Sequence, residues 1–205
     1  GKVYEEKTYL ANTGNYDSYV RVIITKSWKT GRGMKDTTLD PSLIQVTMAD
    51  ESLWIKDEAA STAEREVYYY KKILASPVVQ TEEGVEMGNL ELIPITASVK
   101  VDNQVTTMVT RNGLSGNIYT TYDYDGSAFD LDIEVDALQT HNVADAAIAS
   151  WAVELVLDLE GNVMEVSHPG LEEEIIEEGA GDEGAGIEGD GHEDVAGEGE
   201  DESHE

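Results

Sequence analysis

The stretch Asn12–Trp28, NTGNYDSYVRVIITKSW, decides the fold. It opens on a turn, Asn12-Thr13-Gly14-Asn15, because asparagine and glycine tolerate positive φ at little steric cost. From Tyr19 onward the residues are aromatic or β-branched, the types that fit a pleated, half-buried surface. Val20, Val22 and Ile24 fall on one face of the predicted strand, with Tyr19 and Arg21 on the other. Trp28 closes the run with a large apolar body that needs burial. The stretch reads as a core hairpin strand of an all-β domain.

Phe129–Leu138, FDLDIEVDAL, agrees. Phe129, Leu131, Ile133, Val135 and Ala137 are expected to face inward and Asp130, Asp132, Glu134 and Asp136 outward. This is a strand with a core on one side and water on the other. The Asp125-Gly126 pair just before it is a hairpin turn.

Further strands are expected over Gly1–Leu10 (an edge), Leu43–Met48, Val67–Leu74, Asn89–Val101, Gln104–Val109 and Asn117–Tyr124. Pro94 marks an edge or a bulge, and Arg111-Asn112-Gly113 reads as a hairpin turn. Residues 29–42 and 77–88 read as loops and Ser61–Arg65 as a helical turn. Trp54 is expected in the core or under a loop. At Asn142 the period changes. Asn142 is a natural N-cap, Asp145 suits the positive end of the helix dipole, and Ala144, Ala146, Ala147 and Ala149 favour helix up to Trp151. Val153–Leu159 and Val163–Val166 form a hairpin around Glu160-Gly161-Asn162. The expected fold is all-β, a two-sheet jelly-roll-like sandwich over residues 1–168 with one short helix. Residues 169–205 form an acidic Gly/Glu/Asp-rich tail, too poor in apolar groups to offset the entropy of ordering and therefore disordered.

Charge narrows the partners. The 205-residue chain has a formal net charge of −30. Residues 170–205 hold 16 of the 43 acids and no lysine or arginine, which leaves 27 acids against 13 bases before them, a net −14. Such a body repels nucleic acid and anionic membranes, both of which need a basic patch. The tail is a solvating segment or a site for cations or a basic partner. The basic cluster Lys26, Lys29, Arg32 and Lys35 is expected on a solvated loop, or as a partner for the tail or for an acidic neighbour. No apolar run reaches the length that spans a membrane as a helix. Cysteine is absent, which removes disulfides, thiolate catalysis and Cys-ligated zinc.

Three groupings carry candidate chemistry. Asp123, Asp125, Asp130 and Asp132 are oxygen ligands of the kind calcium prefers, although D-x-D-G falls short of the D-x-D-x-D-G loop with its distal glutamate, and hairpin turn chemistry explains the same residues. Tyr68, Tyr69 and Tyr70 are either a carbohydrate-binding platform or bodies packed between sheets with hydroxyls at the rim. The histidines His141, His168, His192 and His204 lack the H-E-x-x-H spacing of a zinc protease. No nucleophile triad or phosphate loop is present, so no catalytic residue is assigned and no cofactor beyond calcium is expected.

The phrase N-T-G-x-x-D-x-Y-V-R-V-x-I-x-x-x-W at Asn12–Trp28 resembles the camelysin/TasA-like group of exported surface and biofilm-matrix proteins of Gram-positive bacteria. Val67–Leu74 is similar to that group's tyrosine-rich strand, and Ala137–Asn142 with Ala146, Ala147 and Trp151 to its A-x-Q-x-x-N…A…W segment. The resemblance covers about residues 1–152. It implies an exported, extracellular structural protein, its signal peptide removed, that builds or decorates surface fibres with copies of itself or related matrix subunits. The implied mechanism is β-strand addition, in which backbone hydrogen bonds supply affinity. The candidate donor is Lys2–Leu10, with Lys2, Val3, Tyr4, Tyr9 and Leu10 foremost, although more chain usually precedes this segment in the group. A carbohydrate- or host-binding adhesin and a secreted metalloprotease of camelysin type are the alternatives.

Overall fold

The β-branched run from Ser18 to Lys29 forms a twelve-residue strand in the computed structural model, which describes residues 1–82, 84–114 and 117–170. In chain order the first strands are β1 (Val3–Glu5), β2 (Tyr9–Leu10), β3 (Ser18–Lys29), β4 (Lys35–Asp36), β5 (Ile44–Met48), β6 (Trp54–Lys56) and β7 (Arg65–Tyr70). Then come β8 (Val78–Thr81), β9 (Gly84–Met87), β10 (Ile93–Pro94), β11 (Thr96–Val101), β12 (Val109–Leu114), β13 (Asn117–Tyr122) and β14 (Ala128–Gln139). The helix α1 (Val143–Trp151) and the strands β15 (Glu154–Leu157) and β16 (Val163–Ser167) follow.

A five-stranded antiparallel sheet of order β14-β3-β7-β6, with β4 on the end of β3, is the centre of the domain. A three-stranded sheet of order β1-β11-β5 packs on one of its faces. The β2–β10 pair continues the β1–β11 register: Val3 faces Lys100, and further along Leu10 faces Ile93. Residues 3–10 and 93–100 are therefore one interrupted pairing, bridged by the bonds Glu6 N–H to Ala97 and Ile95 N–H to Thr8. The interruption coincides with a register shift of β11 against β5 between Thr96 and Ser98, a bulge that bends the strand.

Between the sheets Val20, Val22 and Ile24 meet Met48, Trp54, Tyr68, Tyr70, Ile93 and Ile95. Each such side chain taken from water contributes about 1.5–3 kcal/mol. Trp28, Leu43, Ile44 and Val99 carry the core onward. The opposite face of the central sheet is covered too. Tyr19, Ile23, Val67 and Tyr69 pack under Val143, Ala147 and Trp151 of α1 and Val153 and Val163 of the last hairpin. The alternation read at Asn12–Trp28 is thus correct in its faces, and both faces are buried there and along Val67–Tyr70.

Several local expectations are corrected. Asn103–Thr106 is a 3-10 turn capped by Asp102, whose side chain accepts from the Gln104 N–H, where a strand was expected. Residues 77–88 hold the β8–β9 hairpin instead of a loop. Asn112 and Gly113 lie inside β12, opposite Tyr119 and Ile118, so they are not the hairpin turn. Ser61–Arg65 makes no helix: the Thr62 N–H donates to the carbonyl of Arg65, whose residue starts β7. Asn142 adopts the left-handed conformation, φ 54°, and its side chain caps nothing. The tail expected from residue 169 lies, beyond Gly170, outside the described residues. Among the described residues no helix is long and apolar enough to cross a membrane.

Candidate functional site

The two sheets do not meet along one side. There the free edges of β1 and β14 bound a groove of about 390 Å³, lined by Tyr4, Glu6, Thr8, Val99, Phe129, Leu131 and Ile133. It continues into a recess of about 450 Å³ that shares Tyr4 and Phe129 with it and reaches Trp28, Val101 and Val105. Phe129, Leu131 and Ile133 pack on the core yet remain half-buried, because β14 is the last strand of its sheet.

Hydrogen-bond parity shows what these edges present. On β3 the even residues address β7: Ser18 exchanges bonds with Leu74, and the Lys26 N–H donates to Glu64. Odd residues of β3 therefore address β14, and their register partners are Asp130, Asp132, Glu134, Asp136 and Leu138. Strand pairs alternate between bonded and non-bonded. The N–H and C=O groups of Phe129, Leu131, Ile133, Val135 and Ala137 thus point away from the sheet. On the other lip Glu6 and Thr8 bond inward to β10–β11, so Val3, Glu5, Lys7 and Tyr9 present their backbone outward. The groove has an apolar floor between two rows of backbone groups that have no partner among the described residues.

Its outer rim is acidic. Asp130, Asp132 and Glu134 lie exposed on the far face of β14. Lys29 Nζ is 2.7 Å from Asp130. Asp136, one step on, is held by Arg21 at 2.5 Å, and that guanidinium also lies over the Trp151 ring at 5.2 Å. Beyond Ile133 the small sheet no longer covers β14. Val135, expected inward, is 42% exposed, while Leu138 on the opposite face packs under the helix layer.

The residues predicted as donors occupy one lip. Val3 and Tyr4 pair with Lys100 and Val99, and Tyr9 and Leu10 with Pro94 and Ile93, so the Lys2–Leu10 segment is already part of its own sheet. Lys2 lies 4.8 Å from the Tyr4 ring at the groove's end. The tyrosine platform is corrected: Tyr68, Tyr69 and Tyr70 are at most 9% exposed and cannot stack on a ligand. Burial raises the pKa of all three, Glu66 adding to the effect at Tyr68 and Glu91 at Tyr70, while Arg21 offsets part of it at Tyr69. The calcium quartet is not brought together. Asp123 and Asp125 line a cleft with Asp36 and Asp40, and Asp123 accepts from the Thr110 hydroxyl, whereas Asp130 and Asp132 lie along β14. Among the described residues no three His, Cys, Asp or Glu side chains are placed to hold a metal ion.

Three of the four residues of the basic cluster are spent internally, and Arg32 lies exposed with no ion pair among the described residues. Lys26 is buried and bonded to Glu66 at 2.6 Å, Lys29 meets Asp130, and Lys35 pairs with Glu64. Sequence reasoning missed the buried Asp57, whose two carboxylate oxygens each lie 2.9 Å from His168 Nε2 and tie the end of β16 to the loop after β6. It also missed the groove, although an acidic outer face on a strand of apolar inner residues was the available signal.

The class these features define is an all-β sandwich with an apolar groove between two strand edges. No family model, curated protein or solved structure matches the chain.

Proposed function

We propose that this protein is an extracellular structural subunit or accessory of surface fibres, joined to its neighbours by β-strand addition at the β1–β14 groove. The resemblance to camelysin/TasA-like proteins suggests the setting. The single observation that supports the mechanism is the apolar groove flanked by unpaired backbone edges. An extended segment laid there gains ladder hydrogen bonds to β14 and buries Phe129, Leu131 and Ile133, the two sources of affinity in strand addition. An exposed edge of this length is otherwise an aggregation hazard. Lys2–Leu10 serves here as a wall of the acceptor, and the role is structural, with no reaction assigned.

The test is negative-stain electron microscopy and sedimentation of the native chain and of Leu131→Arg, each alone and with a short peptide alternating valine and threonine. Ile148→Lys, at an exposed position on α1 away from the groove, controls for added charge. Assembly or peptide capture by the native chain and by Ile148→Lys, lost in a folded Leu131→Arg, is the expected result. A native chain that stays monomeric at high concentration and captures no peptide overturns the proposal.

A further inference from the structure

A strand added to β14 sets its side chains directly beside those of β14. Its residues that bond to Phe129, Leu131 and Ile133 point with them into the groove and require apolar groups. The residues between lie on the outer face, next to Asp130, Asp132 and Glu134. Asp130 has Lys29, but no ion pair among the described residues engages Asp132 or Glu134. Opposite charges side by side on neighbouring strands stabilise the pair, and like charges destabilise it.

Building on the strand-addition reading above, we infer that the segment this groove accepts alternates apolar residues with lysine or arginine. The apolar set fills the floor and the basic set answers the acidic rim. The chain's own Lys2–Leu10 lacks this pattern, because Glu5 and Glu6 are adjacent and either register turns a carboxylate outward. The long-range field agrees. Before residue 170 the chain carries 27 acids among its 43, against 13 bases, so a basic segment is drawn in and another acidic one repelled. The occupant is a segment of a partner chain of opposite charge.

The experiment uses the full chain and three short peptides in which valine alternates with lysine, threonine or glutamate, followed by fluorescence anisotropy at physiological salt. A lysine peptide with prolines at valine positions keeps the charge and cannot donate ladder hydrogen bonds. The lysine peptide is expected to bind about tenfold tighter than the glutamate one, with threonine between. Asp132→Lys/Glu134→Lys, two exposed substitutions, is expected to shrink the lysine-over-glutamate preference several-fold, and the proline peptide to fail. Equal capture of the three peptides by the native chain, or an undiminished preference in the charge-reversed variant, overturns the inference and leaves strand addition standing. So does capture of the proline peptide as tight as the plain lysine one, which places the attraction elsewhere on this acidic chain. Capture of none of them overturns strand addition itself.

Discussion

Lys26→Met tests how the sandwich is held together. Lys26 lies on the face of β3 that carries Val20, Val22 and Ile24, and it is 4% exposed. Its Nζ is 2.6 Å from Glu66 Oε1, and the Tyr68 hydroxyl donates to Glu66 Oε2 at 3.0 Å. Removing the lysine leaves the carboxylate in a recess with Trp54, Met48 and Tyr68, whose lining also includes Lys56 and Glu51. Taking one partner from a buried pair costs about 3–5 kcal/mol. Glu66 keeps the tyrosine bond and some contact with water, which sets the expectation at the low end, about 3 kcal/mol. In a domain of this size that lowers the melting temperature by about 6–12 °C. Lys26→Met/Glu66→Leu removes both charges and is expected to recover most of the loss, since apolar replacement of a buried pair is often neutral or better. Urea unfolding of the native chain, both single variants and the double variant closes a double-mutant cycle. A Lys26→Met protein within about 1 kcal/mol of native, or a double variant no more stable than the single ones, refutes the reasoning.

Three further outcomes are expected. Tyr19, Tyr68, Tyr69 and Tyr70 all have pKa values raised by burial, so the folded state holds their protons longer than the unfolded one. That contribution to stability is complete below the ordinary tyrosine pKa of about 10 and is lost as pH rises above it. Absorbance at 295 nm and circular dichroism should show these phenols ionising together with unfolding, and their ionisation in a still-folded chain would contradict the burial. Ala152 ends α1 at φ 57°, donating to the carbonyls of Ala147 and Ile148, a place that favours glycine. Ala152→Gly should raise the urea midpoint at unchanged slope by the equivalent of about 0.5–1 kcal/mol, and a lowered midpoint would count against it. Asn12 donates to the Tyr16 and Leu74 carbonyls and accepts from the Gly14 N–H, so Asn12→Ala should cost about 1–2 kcal/mol in the same assay, with no loss meaning the turn holds without it.

The strands were legible in the sequence where side-chain period alone defines them. β3, β5, β7 and β14 follow their β-branched and alternating runs, and the last hairpin follows the Glu160-Gly161-Asn162 turn. What sequence could not supply was which elements lie over which faces. Tyr69 looks available on a tyrosine-rich strand until Trp151, more than eighty positions away, closes over it with ring centres 5.6 Å apart. Lys26 looks like loop charge until the strand is found to run through it, which places it between the sheets opposite Glu66. The turn residues Asn12 and Asp17 are explained locally only in part. Asn12 also bonds to the Leu74 carbonyl and Asp17 accepts from the Ser76 N–H, fastening the start of β3 to the end of the tyrosine strand.

The proposal that function lies at an edge rests on the layering. The central sheet has the small sheet on one face and α1 with the last hairpin on the other, and no described strand pairs with the outer side of β14 over its twelve residues. Proteins guard such edges with proline, bulges, charged side chains along the strand, or charges directed inward at the position a foreign strand would fill. β14 has neither proline nor a register shift against β3. Its charges lie on the outer face, while the positions that a foreign strand would meet, Phe129, Leu131 and Ile133, are apolar and half-open. Inward charge would forbid every strand. On the strand-addition proposal, outward charge beside an apolar floor disfavours only acidic strands, and the carboxylates of β14 would select a partner where inward charge would seal the edge.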